Sequence, residues 1–133
     1  ILLKISPDLS WEQVDDMIAV MEENGLDGIV ATNTTTSREG LKTPAAQVES
    51  IGAGGLSGAP LTARSLEMVR YVREKTGGQY PIIGVGGVMT PDDAVAMLEA
   101  GASLVQIYSG FIYNGPAFTR QICKAIIRKA NQS

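Results

Sequence analysis

Four times along this chain a short, solid apolar run gives way to a stretch in which apolar residues recur at helical spacing. That alternation is the pattern of parallel strands, buried on both faces, whose connections cross back as covering helices. The first unit is a strand over residues 1–5 and a helix from about Ser10. There Ser10 and Gln13 form a capping-box pair, Trp11, Val14, Met17, Ile18 and Met21 share one face, and Gly25 ends the helix. The second strand, 27–32, runs into a polar, glycine-rich stretch over 33–60, long enough to expect a function, and then a helix holding Leu66, Val69 and Val72. The third unit pairs a strand at 81–85 with a helix over 91–99. The fourth pairs a strand at 103–108 with a final helix carrying Phe118, Ile122, Ala125 and Ile126.

Four βα units fit half of a closed (β/α)8 TIM barrel or a small open, doubly wound sheet. An open sheet places its phosphate glycines after its first strand, whereas here the strongest glycine signal precedes the last one, as in the late phosphate loops of a barrel. The expected fold is therefore α/β, with residues 1–133 as roughly the C-terminal half of a barrel. The chain has 133 residues against ~250 for a complete barrel, and it opens in mid-strand without methionine. The expectation is a piece of a larger protein whose N-terminal half lies outside it, with unpaired strand edges that favour self-association.

Composition removes several classes of function. Fourteen acidic and eleven basic residues give a net charge of −3, which offers no groove for nucleic acid. The basic stripe of Arg120, Lys124 and Arg128 reads as a solvated helix face. The single cysteine, Cys123, excludes an internal disulfide framework and fits a reducing, cytoplasmic setting, and its place on a helix beside lysine argues for packing, not reactivity. No apolar run reaches the ~18 residues of a spanning helix. With no histidine, no metal-ligand cluster and no P-loop lysine, zinc and nucleotide hydrolysis have no support, and no catalytic base is in view.

The binding chemistry concentrates in four places. Gly86 and Gly87 follow the third strand, and without a Cβ they let backbone N–H groups approach an anion. Thr90 as N-cap, Pro91 at the first helical position and Asp92 and Asp93 in the first turn start the next helix, and those acids make the glycine backbone the better phosphate ligand. Ser109 and Gly110, in the loop after the last strand, form the second half of such a site. Lys4 is a buried ammonium in an apolar strand and needs an electron-rich partner. Thr32, Asn33, Thr34 and Thr35 end the second strand with an amide and hydroxyls for a small polar substrate. The run from Gly54 to Pro60 reads as a loop touching a cofactor.

Read together, Lys4-Ile5-Ser6-Pro7-Asp8-Leu9, Thr32-Asn33-Thr34-Thr35, Ser37-Arg38, Gly54-Gly55-Leu56-Ser57-Gly58, Ile83-Gly84-Val85-Gly86-Gly87-Val88 and the stretch 100–108 resemble, in order and spacing, the C-terminal half of dihydroorotate dehydrogenase. Threonine before Asn33, and Tyr108-Ser109-Gly110-Phe111-Ile112-Tyr113 followed by Gly115-Pro116, are similar to its class 2, quinone-reducing branch; the soluble class 1 branch more often has alanine before that asparagine. The resemblance implies a (β/α)8 barrel holding flavin mononucleotide (FMN). It implies flavin contacts at Lys4, Thr32, Gly58, Gly86, Gly87, Tyr108 and Ser109, the last a threonine in many members, and contacts to dihydroorotate or orotate at Asn33 and Thr34. It also implies oxidation of dihydroorotate to orotate in pyrimidine synthesis with a quinone as acceptor. The base would be a serine upstream, and peripheral contact with a membrane, the inner one in a bacterium, would be made by helices earlier still. These residues alone would then be inactive. The other readings are a class 1 enzyme and a non-redox phosphate-binding half-barrel.

Overall fold

The structure, a computed structural model, describes residues 1–132. Its elements are β1 (Leu2–Ile5), α1 (Trp11–Glu23), β2 (Gly28–Ala31), α2 (Ala45–Ile51), a 3-10 turn (Ala59–Leu61), α3 (Thr62–Lys75), β3 (Ile82–Val85), α4 (Pro91–Glu99), β4 (Leu104–Gln106), α5 (Ser109–Asn114) and α6 (Ala117–Ala130). Both helix starts that the sequence announces form as capping boxes. The Ser10 hydroxyl accepts from the Gln13 N–H while the Gln13 side chain accepts from the Ser10 N–H, and Thr90 and Asp93 do the same ahead of α4.

The strands pair in parallel in the order β1-β2-β3-β4. Right-handed crossovers that always step the same way leave every connecting helix on one face, so the sheet is singly wound, as in a barrel, and lacks the reversal of a doubly wound sheet. The core forms on that face. Val14, Ile18 and Met21 of α1, Met68, Val69 and Val72 of α3, Ala94 and Met97 of α4 and Phe118 and Ile122 of α6 close over Ile5, Ile29 and Ile82. At Gly84 a side chain would collide with Met97, so the missing Cβ lets α4 lie directly on β3.

The register corrects one expectation. Lys4, Val30, Ile83 and Leu104 form one row across the sheet, and Ile5, Ala31, Gly84 and Val105 form the next. The second row faces the helices and is mostly buried. The first faces away from them: Lys4 is exposed and Leu104 is 62% exposed. Burial on both faces therefore does not hold among the described residues.

Two boundaries also differ from the sequence reading. The fourth strand covers three residues, not 103–108, because the chain turns at Tyr108 and enters α5, whose Ser, Gly and Asn read in sequence as turn residues. The stretch 33–60 contains α2, which buries none of its residues, and an isolated antiparallel bridge between Thr35 and Leu56.

Helices α1 and α3 are joined at the surface by a polar and aromatic clasp. Trp11 and Tyr71 stack with centroids 4.3 Å apart, the Arg64 guanidinium lies 4.1 Å over Trp11, and Asp15 accepts from the Tyr71 hydroxyl at 2.9 Å and from Lys75 at 2.8 Å. The Lys75 and Tyr71 hydrogen bonds hold the Asp15 carboxyl below its ordinary value of 3.8, and Asp15 holds the Lys75 ammonium above its ordinary 10.5.

Two outcomes follow for stability. Phe118 is fully buried, so Phe118→Ala should cost about 3–5 kcal/mol in urea unfolding, while Ile51→Ala, at a side chain 77% exposed, should cost less than about 0.5 kcal/mol. A carboxyl whose folded pKa is lowered contributes stability above its unfolded pKa and loses it as pH falls through the folded one. The deficit of Asp15→Asn should thus be constant from about pH 5 to 9 and shrink below the ordinary value of 3.8. The Lys75 contribution, with its pKa raised, should instead fade as pH climbs above 10.5.

Candidate binding cleft

The C-terminal ends of the four strands surround a cleft of about 330 Å³. The nine residues that the resemblance assigns to flavin or substrate all line it, whereas Thr35 does not, and of the run from Gly54 to Pro60 only Ser57 and Gly58 do. Lys4 comes from β1, Thr32, Asn33 and Thr34 from the end of β2, and Gly58 from the turn before α3. Gly86 and Gly87 come from the end of β3, and Tyr108 and Ser109 from the entry to α5. The walls between them are apolar: Leu61, Val85, Val88, Met89 and Ile107. A concave, mostly apolar space with a few fixed polar groups is how proteins bind small molecules.

Each rim segment is fixed by neighbours far away in sequence. The Thr32 N–H donates to the Val85 carbonyl at 2.7 Å, and its buried hydroxyl donates to the Asn33 carbonyl at 3.0 Å, which leaves the Ser65 hydroxyl, also 3.0 Å away, to donate to it. The Asn33 N–H donates to the Ile5 carbonyl at 2.8 Å, and its side-chain oxygen accepts from the Thr34 N–H at 2.9 Å. Its amide nitrogen has no partner among the described residues. Ser57 and Ser109 join two sides of the rim through their hydroxyls at 2.9 Å. Ser109 therefore opens a short helix and not a loop, and its hydroxyl is already engaged.

The glycines have a cause in packing beside the one expected from anion binding. A Cβ on Gly86 would lie 2.6 Å from the Ser65 hydroxyl, and one on Gly87 would overlap the Thr62 backbone; their φ angles are +105° and +74°. The close approach of α3 requires glycine at both positions whatever the cleft binds. At Gly58, φ +87°, the nearest atoms are 3.7 Å away, so backbone conformation alone selects glycine.

Lys4 is not the buried ammonium that its strand context suggests, since the face it occupies is the uncovered one. The sequence reading missed Gln106, whose exposed amide also lines the cleft. The signal was present, because Gln106 is the one polar residue in Leu104-Val105-Gln106-Ile107, as Lys4 is in its own run. Lys4 and Tyr108 are the ionisable side chains among the lining residues, and no group of His, Cys, Asp or Glu among the described residues is placed to hold a metal.

Comparison with known proteins gives a consistent answer. A family model described as dihydroorotate dehydrogenase matches residues 1–129. The chain is similar to the dihydroorotate dehydrogenase (quinone) of Christiangramia forsetii, 54% identical over 129 residues, covering 97% of this chain and 37% of that protein. It is similar to the protein of the same name from Thermosynechococcus vestitus, 48% identical over 136 residues, covering 99% and 37%. Among solved structures it resembles the ligand-free enzyme of Eimeria tenella, with a TM-score of 0.89 and 40% identity over 98% of this chain and 36% of that one. The ferulenol complex of the same enzyme gives a TM-score of 0.88. The chain thus spans little more than a third of the length of these relatives.

The two glycine causes are separable by mutation. Gly58→Ala should cost about 1–3 kcal/mol from its backbone conformation alone, φ +87° and ψ −152°, which is essentially reserved to glycine. Gly87→Ala, which adds a backbone collision to the same strain, should cost at least about twice as much in urea unfolding. Equal costs would show that the α3 approach is not what fixes Gly87.

Proposed function

This chain belongs to the dihydroorotate dehydrogenase family, and we propose that its four βα units form the C-terminal half of a (β/α)8 barrel that oxidises dihydroorotate to orotate in pyrimidine synthesis, with FMN as cofactor and a quinone as electron acceptor. The observation that carries this reading is the convergence on one cleft, at the C-terminal strand ends, of all nine residues named by the family motifs. The quinone branch is supported by the relatives named above, which carry that activity in their names.

The cleft fits FMN in shape and in donor chemistry. Leu61, Val85, Val88 and Met89 offer apolar wall to a ring system, the glycine backbones at 86 and 87 and the one hydroxyl proton that the Ser57–Ser109 pair leaves over offer donors to a phosphate, and Lys4 is a cation on a row of apolar residues. When bound, FMN supplies the acceptance of hydride and the passage of electrons to quinone. The residues of this chain position and neutralise. Lys4 would supply positive charge to the flavin, in a cleft whose apolar walls strengthen such an attraction. Thr32, its hydroxyl tied to Ser65 and Asn33, would hold the flavin as a rigid contact, together with Gly58 and Tyr108. Asn33, with its amide nitrogen free, and Thr34 bind the pyrimidine and hold it in line with the ring.

The family resemblance assigns the base that would take the proton of dihydroorotate to a serine outside these residues. The outer edges of β1 and β4, which have no strand partner among the described residues, are the places where the remaining strands close the barrel; exposed, the same edges would drive self-association. A cytoplasmic protein held peripherally at a membrane, the inner one in a bacterium, suits a lipid-soluble acceptor. No helix among the described residues is long and apolar enough to cross a membrane.

The test uses the full-length protein carrying these residues. It should purify yellow with about one FMN per chain, and anaerobic dihydroorotate should bleach the flavin band. Lys4→Ala should lower kcat by about 10²-fold or more, the cost of losing one group aimed at developing charge. Absence of flavin, or flavin indifferent to dihydroorotate, would overturn the reading.

A further inference from the structure

Four residues beyond Lys4, Asp8 makes a set of contacts that the proposed chemistry does not use. Its carboxylate accepts from the Thr35 hydroxyl, from the Thr36 N–H at 2.8 Å and from the Thr36 hydroxyl at 2.9 Å. Asp8 is not among the residues lining the cleft, so it touches neither ligand in the proposed reading. Its partners follow directly on Asn33 and Thr34. The segment they make is pinned at its start by the Asn33 N–H on the Ile5 carbonyl, at its middle by the mutual backbone bonds of Thr35 and Leu56, and at its end by Asp8.

The carboxylate itself stands on a rigid base. The carbonyls on either side of it, Pro7 and Leu9, accept from Arg64 Nε at 3.0 Å and Nη2 at 2.9 Å, and that guanidinium is flattened against Trp11. Beyond the segment, Arg38 donates to the Thr36 carbonyl at 3.1 Å and to the Gly54 carbonyl at 2.6 Å, which ties it to the loop that Thr34 packs against at Gly55. Charged hydrogen bonds are the strong ones, and three of them converge here on one side chain. Of the anchors on the 33–36 segment, only Asp8 is both ionised and attached to the strand that bears Lys4.

We propose that Asp8 is a positioning residue for the substrate: by holding Thr35 and Thr36 to the end of β1, it sets where Asn33 and Thr34 meet the pyrimidine relative to Lys4. This rests on the reading that Asn33 and Thr34 contact dihydroorotate. Its effect falls on substrate binding and not on retention of the flavin, because the partners of its carboxylate are Thr35 and Thr36, and none of the proposed flavin contacts, Lys4 and Thr32 included, is among them.

The experiment compares wild type, Asp8→Ala and Asp8→Asn in the full-length flavoprotein, reading FMN content, the flavin difference spectrum on titration with orotate, and KM and kcat for dihydroorotate. Asp8→Ala should keep its FMN and raise both the orotate Kd and the dihydroorotate KM about tenfold, a modest share of what misplacement of binding groups can cost. Asp8→Asn should recover most of that loss, because its amide oxygen still accepts from the Thr36 N–H and its nitrogen can donate to the Thr35 hydroxyl. A purely structural role would lower thermal stability and flavin content in Asp8→Ala while leaving orotate affinity of the remaining flavoprotein unchanged, and that result overturns the proposal. If Asp8→Ala does not fold, Thr36→Val, which removes one hydroxyl and leaves the charge, should still weaken orotate about two- to threefold; unchanged affinity there overturns it equally. A wild-type flavin spectrum indifferent to orotate would instead overturn the functional reading itself, and the inference with it.

Discussion

The arrangement of the cleft depends on how closely the first turn of α3 approaches three strand ends at once. Thr62 donates its hydroxyl to the Gly87 carbonyl at 2.6 Å beyond β3, Ser65 meets Thr32 beyond β2, and Arg64 donates to the Pro7 and Leu9 carbonyls beyond β1. One helical turn therefore fixes the mutual position of segments at residues 7–9, 32 and 87. The approach is possible only because positions 86 and 87 carry no Cβ. Interiors and joints packed this tightly transmit a change of even one methyl group, so the site inherits its precision from a contact that no ligand needs to touch.

This explains why some of the site was legible in the sequence and some was not. The capping boxes at Ser10 and Thr90 are local, each closed within four residues, and the sequence displays both halves. The polar residues that line the cleft were legible for a related reason. A polar residue at the end of an apolar strand run stands out, and in a parallel sheet with in-order strands all such ends converge on one side. Arg64 and Asp8 were not legible as positioning groups, since their partners lie 57 and 27 residues away and nothing local distinguishes them from ordinary surface charges. The glycines were found for an incomplete reason: their spacing marks a site, but the collisions at Ser65 and Thr62 become visible only once α3 is placed.

The uncovered face of the sheet shows where composition misleads. Leu2, Val30, Ile83 and Leu104 read as one set with Ile5, Ile29 and Ile82, because apolar residues continue through the strands without alternation. A singly wound sheet whose strands are apolar on both faces must cover the second face with something, and a closed barrel does so with its own other strands. The likeness to the Eimeria tenella enzyme over about a third of that chain agrees with this geometry.

The same face gives Lys4 its significance. Its row neighbour Val30 is apolar, as are Ile83 and Leu104 beyond it, so nothing in the row neutralises an ammonium. Open to water, as among the described residues, that ammonium costs little. Enclosed by the rest of a barrel it would cost several kcal/mol unless an anion or electron-rich group shared the space. A sheet built to be enclosed, carrying one cation on the face to be enclosed, therefore makes its own demand for a ligand of opposite charge. Under the proposed function FMN would meet that demand, and Lys4, enclosed among apolar residues, would hold positive charge against it more strongly than it could in water.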